Sequence, residues 1–152
     1  MKTSPRISAR ACIRQNGSVL LAKYEDRNGL WYVMPGGGQQ SGETLAECLV
    51  REVREEFSVT VEVGGMMYIR EIIADRHQGS DLPDGFHQVE VFFECSLLDG
   101  EEPGPGQNPD ADQIGHEWVE TGELKNIRFY PEGIADRIAD PSLAGRYLGE
   151  MR

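Results

Sequence analysis

The 152 residues predict an α+β chain, an α/β/α sandwich in which a mixed sheet carries one central helix and one C-terminal helix. Three observations lead there. Apolar residues alternate with polar ones in the first region and again in the middle of the chain. One segment, Thr44 to Phe57, repeats apolar residues every fourth position. Asn-Gly, Pro and Gly punctuate the rest at strand-length intervals.

In chain order, Ala9, Ala11 and Ile13 face one way and Arg10, Cys12 and Arg14 the other, the period of a strand. Asn16-Gly17 is a hairpin signal, and GSVLLAKY returns as a second strand ending at Tyr24. EDRNG is a polar loop. Leu30–Met34 is a short strand stopped by Pro35 and Gly36-Gly37-Gly38, a glycine turn. The strong helix follows, with Thr44 or Ser41 as N-cap and Leu45, Leu49, Val53 and Phe57 as its buried stripe. Val59, Val61 and Val63 open a strand that bends or bulges at Gly64-Gly65 and continues from Met66 to Ala74. Asp75 to Phe86 is a polar loop. In HQVEVFFECSLL, Val89, Val91, Phe93, Cys95 and Leu97 share a face opposite Glu90, Phe92 and Glu94. Asp99 to Asp112, rich in Gly, Pro and acid, is expected as a mobile surface loop. Ile114–Val119 is a short strand, and Pro131 is expected at the N1 position of a last helix with Ile134 and Ile138 inward.

The length fits one domain, residues 1–152. No apolar run approaches the roughly twenty residues that cross a bilayer, and MKTSPRISAR has no apolar core of a secretory signal. Cys12, Cys48 and Cys95 are an odd number without close spacing, so buried free thiols in a reducing, cytoplasmic setting are expected. A net charge of −11 argues against a nucleic-acid polymer as partner, because duplex binding uses a basic stripe. It leaves room for a small phosphorylated ligand bridged by a metal ion.

Glu52, Glu55 and Glu56 project within roughly a third of the helix circumference, beside Arg51. They crowd into the C-terminal half, where the helix dipole disfavours acid. A solvated acidic face would normally separate or pair such charges. Clustered carboxylates beside a flexible glycine run, which can bring backbone carbonyls close, make a hard oxygen site suited to Mg²⁺ or Mn²⁺.

Gly37, Glu43, Arg51, Glu52, Val53, Glu55, Glu56 and Val59 resemble the Nudix box: G, five residues, E, seven residues, R-E-U-x-E-E-x-G-U, with U aliphatic. Every spacing matches over twenty-three residues, with Ser58 where the family has glycine. The order of strands and helices also resembles the Nudix, MutT-like fold. The resemblance implies a hydrolase that splits a pyrophosphate link in a nucleotide or nucleotide derivative with metal and water. It implies Glu52, Glu55, Glu56 and the Gly36 carbonyl as metal ligands, Glu52 or its rival Glu55 as base, and Arg51 with Glu43 bracing loop against helix. A further acid from a later loop is expected: Asp112 first, then Asp110, Glu117 and Glu94. Ser58 should change how the helix ends and little of the chemistry.

Outside the box, Trp31 is expected in the core rather than stacking on a base, and Tyr130-Pro131 fits a helix start. His77, His87 and His116 have no metal spacing, and Arg14, Arg70 and Arg76 default to solvated surface. Sixteen residues past the box stands Asp75, not the Pro or Tyr that marks some subfamilies, and the NADH-type and coenzyme A-type arrays are absent. Nucleoside triphosphates and nucleoside diphosphate sugars remain equal substrate classes. The alternative is a non-catalytic Nudix domain that senses a nucleotide. The resemblance also allows a homodimer.

Overall fold

The computed structural model describes residues 4–143 and 146–152; the first three residues of the N-terminal stretch lie outside it. Strand β1 (Arg6–Gln15) turns at Asn16 and Gly17, both left-handed at φ +53° and +79°, into β2 (Ser18–Asp26). That pair of positive φ values is what a two-residue type I′ hairpin needs. The two strands pair only at Arg14↔Val19 and Gln15↔Ser18 and then part. From there each strand builds its own leaf of one curled sheet.

On the first leaf, β1 pairs in parallel with β6 (His87–Leu97), and β6 pairs antiparallel with β5 (Val61–Ile73). The second leaf sets β2 between β3 (Gly29–Val33) and β7 (Gln113–Glu120). Two short strands extend the edges in parallel: β8 (Phe129–Tyr130) on β3 and β9 (Arg146–Glu150) on β5. The register of β5 slips between Val63 and Met66, the irregularity expected at Gly64-Gly65.

Helix α1 (Leu45–Phe57) covers one face. Its buried Cys48, Leu49, Val53 and Phe57 meet Ala9, Ala11 and Ile13 of β1 and Leu20 and Ala22 of β2. Full burial of each large apolar side chain stabilises the fold by about 2 kcal/mol. The opposite face packs Cys12, Val19, Leu21, Tyr68 and Phe92 under Ile134 and Ile138 around the short helix α2 (Ala135–Ala139). The expected α/β/α sandwich with a mixed sheet is therefore observed. Thr44 is the N-cap, in a reciprocal capping box with Glu47. Among the described residues no helix is long and apolar enough to cross a membrane.

Four expectations need correction. Strand β2 runs on to Asp26, which pairs with Gly29, so EDRNG shrinks to a tight hairpin at Arg27-Asn28. The three glycines are a strand, β4 (Gly36–Gly38), paired antiparallel with Ser8–Arg10 rather than a free turn. Pro131 does not begin the last helix: Gly133 at φ +82° breaks the chain between it and Ile134, a conformation no right-handed helix includes. The Asp99–Asp112 stretch does not stand free. Its Gly104, Gly106 and Asn108 amides donate to the Phe57, Glu56 and Glu55 carbonyls at the end of α1, at 2.9, 3.1 and 3.1 Å. A helix end leaves its last carbonyls without partners, and composition cannot show that a distant loop supplies them.

Candidate active site

Arg51 is the hub. Its guanidinium grips both oxygens of Glu43, at 3.0 and 2.7 Å, and donates to the Gly38 carbonyl at 3.1 Å. It also reaches Glu52 at 2.9 Å and Glu55 at 3.4 Å. One side chain thereby ties the loop before α1, strand β4 and the acidic flank of the helix. Arg51 hydrogen bonds hold the Glu43 carboxyl down to about 2, and the guanidinium is driven further toward its charged form, first by Glu43.

The glycines allow this closeness. A Cβ on Gly36 would stand 2.0 Å from the Ala9 carbonyl oxygen, and Gly36 sits at φ +146°. A Cβ on Gly37 would stand 2.5 Å from Cδ of Glu52. Only a chain without side chains lets the carboxylates rest against the backbone.

Glu56 is the most unusual acid. It is 3% exposed, and its Oε1 accepts the Gly36 amide at 3.3 Å. Burial pushes its carboxyl up to about 8, opposed by Arg10 and reinforced by Asp110 and Glu52. Burial also raises Glu52, with Arg51 opposing and Glu55 and Asp110 adding to the rise. Glu52, Glu56 and Asp110 therefore share one electrostatic neighbourhood, opposed by Arg51 at Glu52 and by Arg10 at Glu56.

Arg10 supplies the nearest buried countercharge. Its Nε bonds Glu90 at 3.0 Å, and its Nη1 donates to the Met34 and Gly36 carbonyls at 3.2 and 3.3 Å. Glu90, itself 3% exposed, is clamped by Arg70 and Gln88. Arg10, Tyr24, Trp31, Val33 and Asp110 to Asp112 line a cleft of about 390 Å³. Tyr24 stacks on Trp31 with centroids 4.4 Å apart, and Tyr130 meets Trp31 edge-on at 6.0 Å.

Of the later acids, Asp110 is the one whose charge acts on Glu52 and Glu56, and the Tyr24 hydroxyl holds it at 2.9 Å. Asp112 lines the same cleft as an exposed residue. Glu94 pairs with Arg14, and Glu117 lies 3.9 Å from Lys23. Trp31, expected in the core, is half-buried and forms a cleft wall while packing on that core. The arginine in the cleft is Arg10, while Arg70 is spent on Glu90 and Arg14 on Glu94. A charge between two alanines of a buried strand, SARAC, was the available signal for Arg10. His77 and His87 pair with Glu150 and Glu71, and His116 packs on Phe57. The three cysteines are free and buried.

The donor set, carboxylate and carbonyl oxygens, suits a hard divalent cation. Among the described residues, no three Asp, Glu, His or Cys side chains converge closely enough to hold a metal as they stand. Glu52 and Glu55 are turned to Arg51.

A Nudix-domain family model matches residues 4–138, and the chain belongs to the Nudix family. Over 98 residues it is 29% identical to a Bacillus subtilis (strain 168) protein provisionally named ADP-ribose pyrophosphatase YjhB, covering 64% of this chain and 44% of that one. Over 88 residues it is 28% identical to the nucleoside triphosphatase NudI of Enterobacter sp. (strain 638), covering 55% and 62%. The chain thus spans less than two thirds of these relatives' length. Among solved structures, a Nudix hydrolase from Nitrosomonas europaea superposes with a TM-score of 0.71 at 18% identity, covering 91% of this chain and 89% of that one. A MutT Nudix hydrolase from Burkholderia pseudomallei gives 0.68 at 22%, covering 88% and 96%. At such identities the likeness speaks for the fold.

Proposed function

We propose that this chain is a Mg²⁺- or Mn²⁺-dependent Nudix hydrolase, acting as one domain over residues 1–152. It splits the pyrophosphate link of a nucleoside triphosphate or a nucleoside diphosphate sugar. The observation that carries the reading is Glu56, a buried carboxyl that accepts the Gly36 amide and whose neighbours Glu52 and Asp110 add negative charge against Arg10. Burying an acid with so little opposing charge costs stability, and a bound cation offsets that cost. The relatives named for ADP-ribose and nucleoside triphosphate hydrolysis support the two substrate classes.

Glu52, Glu55 and Glu56 would hold the metal, with Asp110 or Asp112 from the loop. The Gly36 carbonyl turns one lone pair to Arg10 and has a second to give. When bound, the metal neutralises phosphate charge and acidifies water. Glu52 takes the proton from the attacking water, and burial raises its proton affinity. The water oxygen bonds to phosphorus, the bridging P–O bond breaks, and two phosphate-terminated products leave. Arg51 and Glu43 keep Glu52 aimed. Arg10 in the cleft offers positive charge to the phosphates, and the Tyr24–Trp31 stack gives a planar group an apolar wall. Buried thiols and the acidic surface fit a cytoplasmic protein acting on small molecules.

The test is a panel of nucleoside triphosphates and nucleoside diphosphate sugars with Mg²⁺, reading orthophosphate against pyrophosphate and nucleoside monophosphate. Turnover that vanishes with EDTA is expected. Metal binding without turnover on any compound would make the domain a nucleotide sensor.

A further inference from the structure

We infer that Ser58 is a positioning residue, a latch that fastens the Asp110-bearing loop to the end of α1. The role of Asp110 rests on the metal-dependent reading above; the latch itself is a matter of contacts. Ser58 occupies the C-cap at φ +56° and ψ +30°, the left-handed conformation a glycine would take there. The expectation that serine would change the helix ending is not met in the backbone. What serine adds is a hydroxyl, and Oγ donates to the Pro105 carbonyl at 2.9 Å.

That bond falls among the three loop amides that close the helix end. Arg54 receives the Ser58 amide at 3.0 Å, and Glu55, Glu56 and Phe57 receive Asn108, Gly106 and Gly104. All four terminal carbonyls of α1 are thus satisfied, three of them by this loop. Gly106 is seated so closely that a Cβ there would stand 1.9 Å from the Glu55 oxygen. Beyond Asn108 the chain reaches Asp110, which Tyr24 grips from the cleft side. Asp110 is therefore held from both ends: by Ser58 and the loop amides through the helix, and by Tyr24 through the sheet. The same helix turn carries Glu55 and Glu56, so the latch fixes the loop that bears Asp110 to the turn that bears these acids.

Ser58→Gly tests this in the full chain, since glycine keeps the left-handed backbone while the hydroxyl is lost with its Cβ. Amide hydrogen exchange is followed without metal, and Mn²⁺ affinity is measured by calorimetry for the wild type, Ser58→Gly, Asp110→Asn and the double variant. Protection of the Gly104, Gly106 and Asn108 amides should fall about fivefold, what one hydrogen bond of average net strength supplies. Mn²⁺ should bind more weakly to Ser58→Gly, and Ser58→Gly should add nothing once Asp110 is Asn. Unchanged protection would overturn the latch. So would an equal loss of affinity in the Asp110→Asn background, because Ser58 would then act by another route. If Mn²⁺ does not bind the wild type, the metal reading falls, while the exchange result still decides the latch.

Discussion

Two adjacent glycine-to-alanine changes should separate catalysis from folding. Gly37 is outside the left-handed region, so its backbone accepts alanine. The new Cβ would stand 2.5 Å from Cδ of Glu52 and 2.6 Å from both carboxylate oxygens. Carbon atoms rest at about 3.5 Å or more, so the carboxylate must swing away by about 1 Å. It is the far end of a flexible side chain, and an off-rotamer shift costs about 1 kcal/mol, offset in part by the entropy glycine no longer loses. Stability should therefore change by less than about 1 kcal/mol. A 1 Å misplacement of a catalytic group lowers rate by about 100-fold. Gly36→Ala differs in kind. Its Cβ meets backbone, 2.0 Å from the Ala9 oxygen and 2.9 Å from the Arg10 Cα, at φ +146°. Strand β4 must leave β1, at about 3 kcal/mol or more. Urea midpoints and kcat at saturating Mg²⁺, measured on both variants, give the answer. Full activity in Gly37→Ala would show that Glu52 does not act from this position, and wild-type stability in Gly36→Ala would show that the strand pairing is not as tight as described.

Arg51→Lys keeps the charge but cannot span Glu43, the Gly38 carbonyl and Glu52 together, so kcat should drop about 10- to 100-fold with the fold retained. Steady-state kinetics beside a circular dichroism melt would check it. All three thiols are buried, with their ionisation pushed up to about 11 for Cys48 and about 12 for Cys12 and Cys95. They should stay unreactive toward a thiol-disulfide reagent at pH 8 in the native protein and react together in denaturant. Glu56 holds its proton to about pH 8 when folded but only to about 4.5 when unfolded. Between those values the folded chain binds the extra proton, so stability in EDTA should fall as pH rises, by up to about 1.4 kcal/mol per unit. Glu56→Gln should flatten that slope. An identical slope in urea melts of both proteins from pH 5 to 8 would contradict the burial argument.

The alternation in β1 and β6 and the fourfold repeat in α1 were legible because each element buries one face, and burial writes its period into the sequence. The Arg51–Glu43 contact is the one the resemblance to the Nudix box implied. What was hidden depends on partners far apart in the chain. Gly36–Gly38 read as a turn because nothing local shows that Ser8–Arg10 would pair with it. Asp112 ranked ahead of Asp110 because position relative to a strand was the only guide. The contact that sets Asp110 apart is with Tyr24, eighty-six positions away, on a loop whose amides end a helix. Alternation put Arg10 opposite Ala9 and Ala11 but could not show its partner, Glu90 on the parallel neighbour β6.

The most direct measurement is Mn²⁺ binding by calorimetry to the wild type, Glu52→Gln and Glu56→Gln, each shown to be folded. Binding to the wild type, weakened about tenfold or more in each variant, is the predicted result. Equal affinity in all three, or none in the wild type, would contradict a metal site built on the acidic flank of α1.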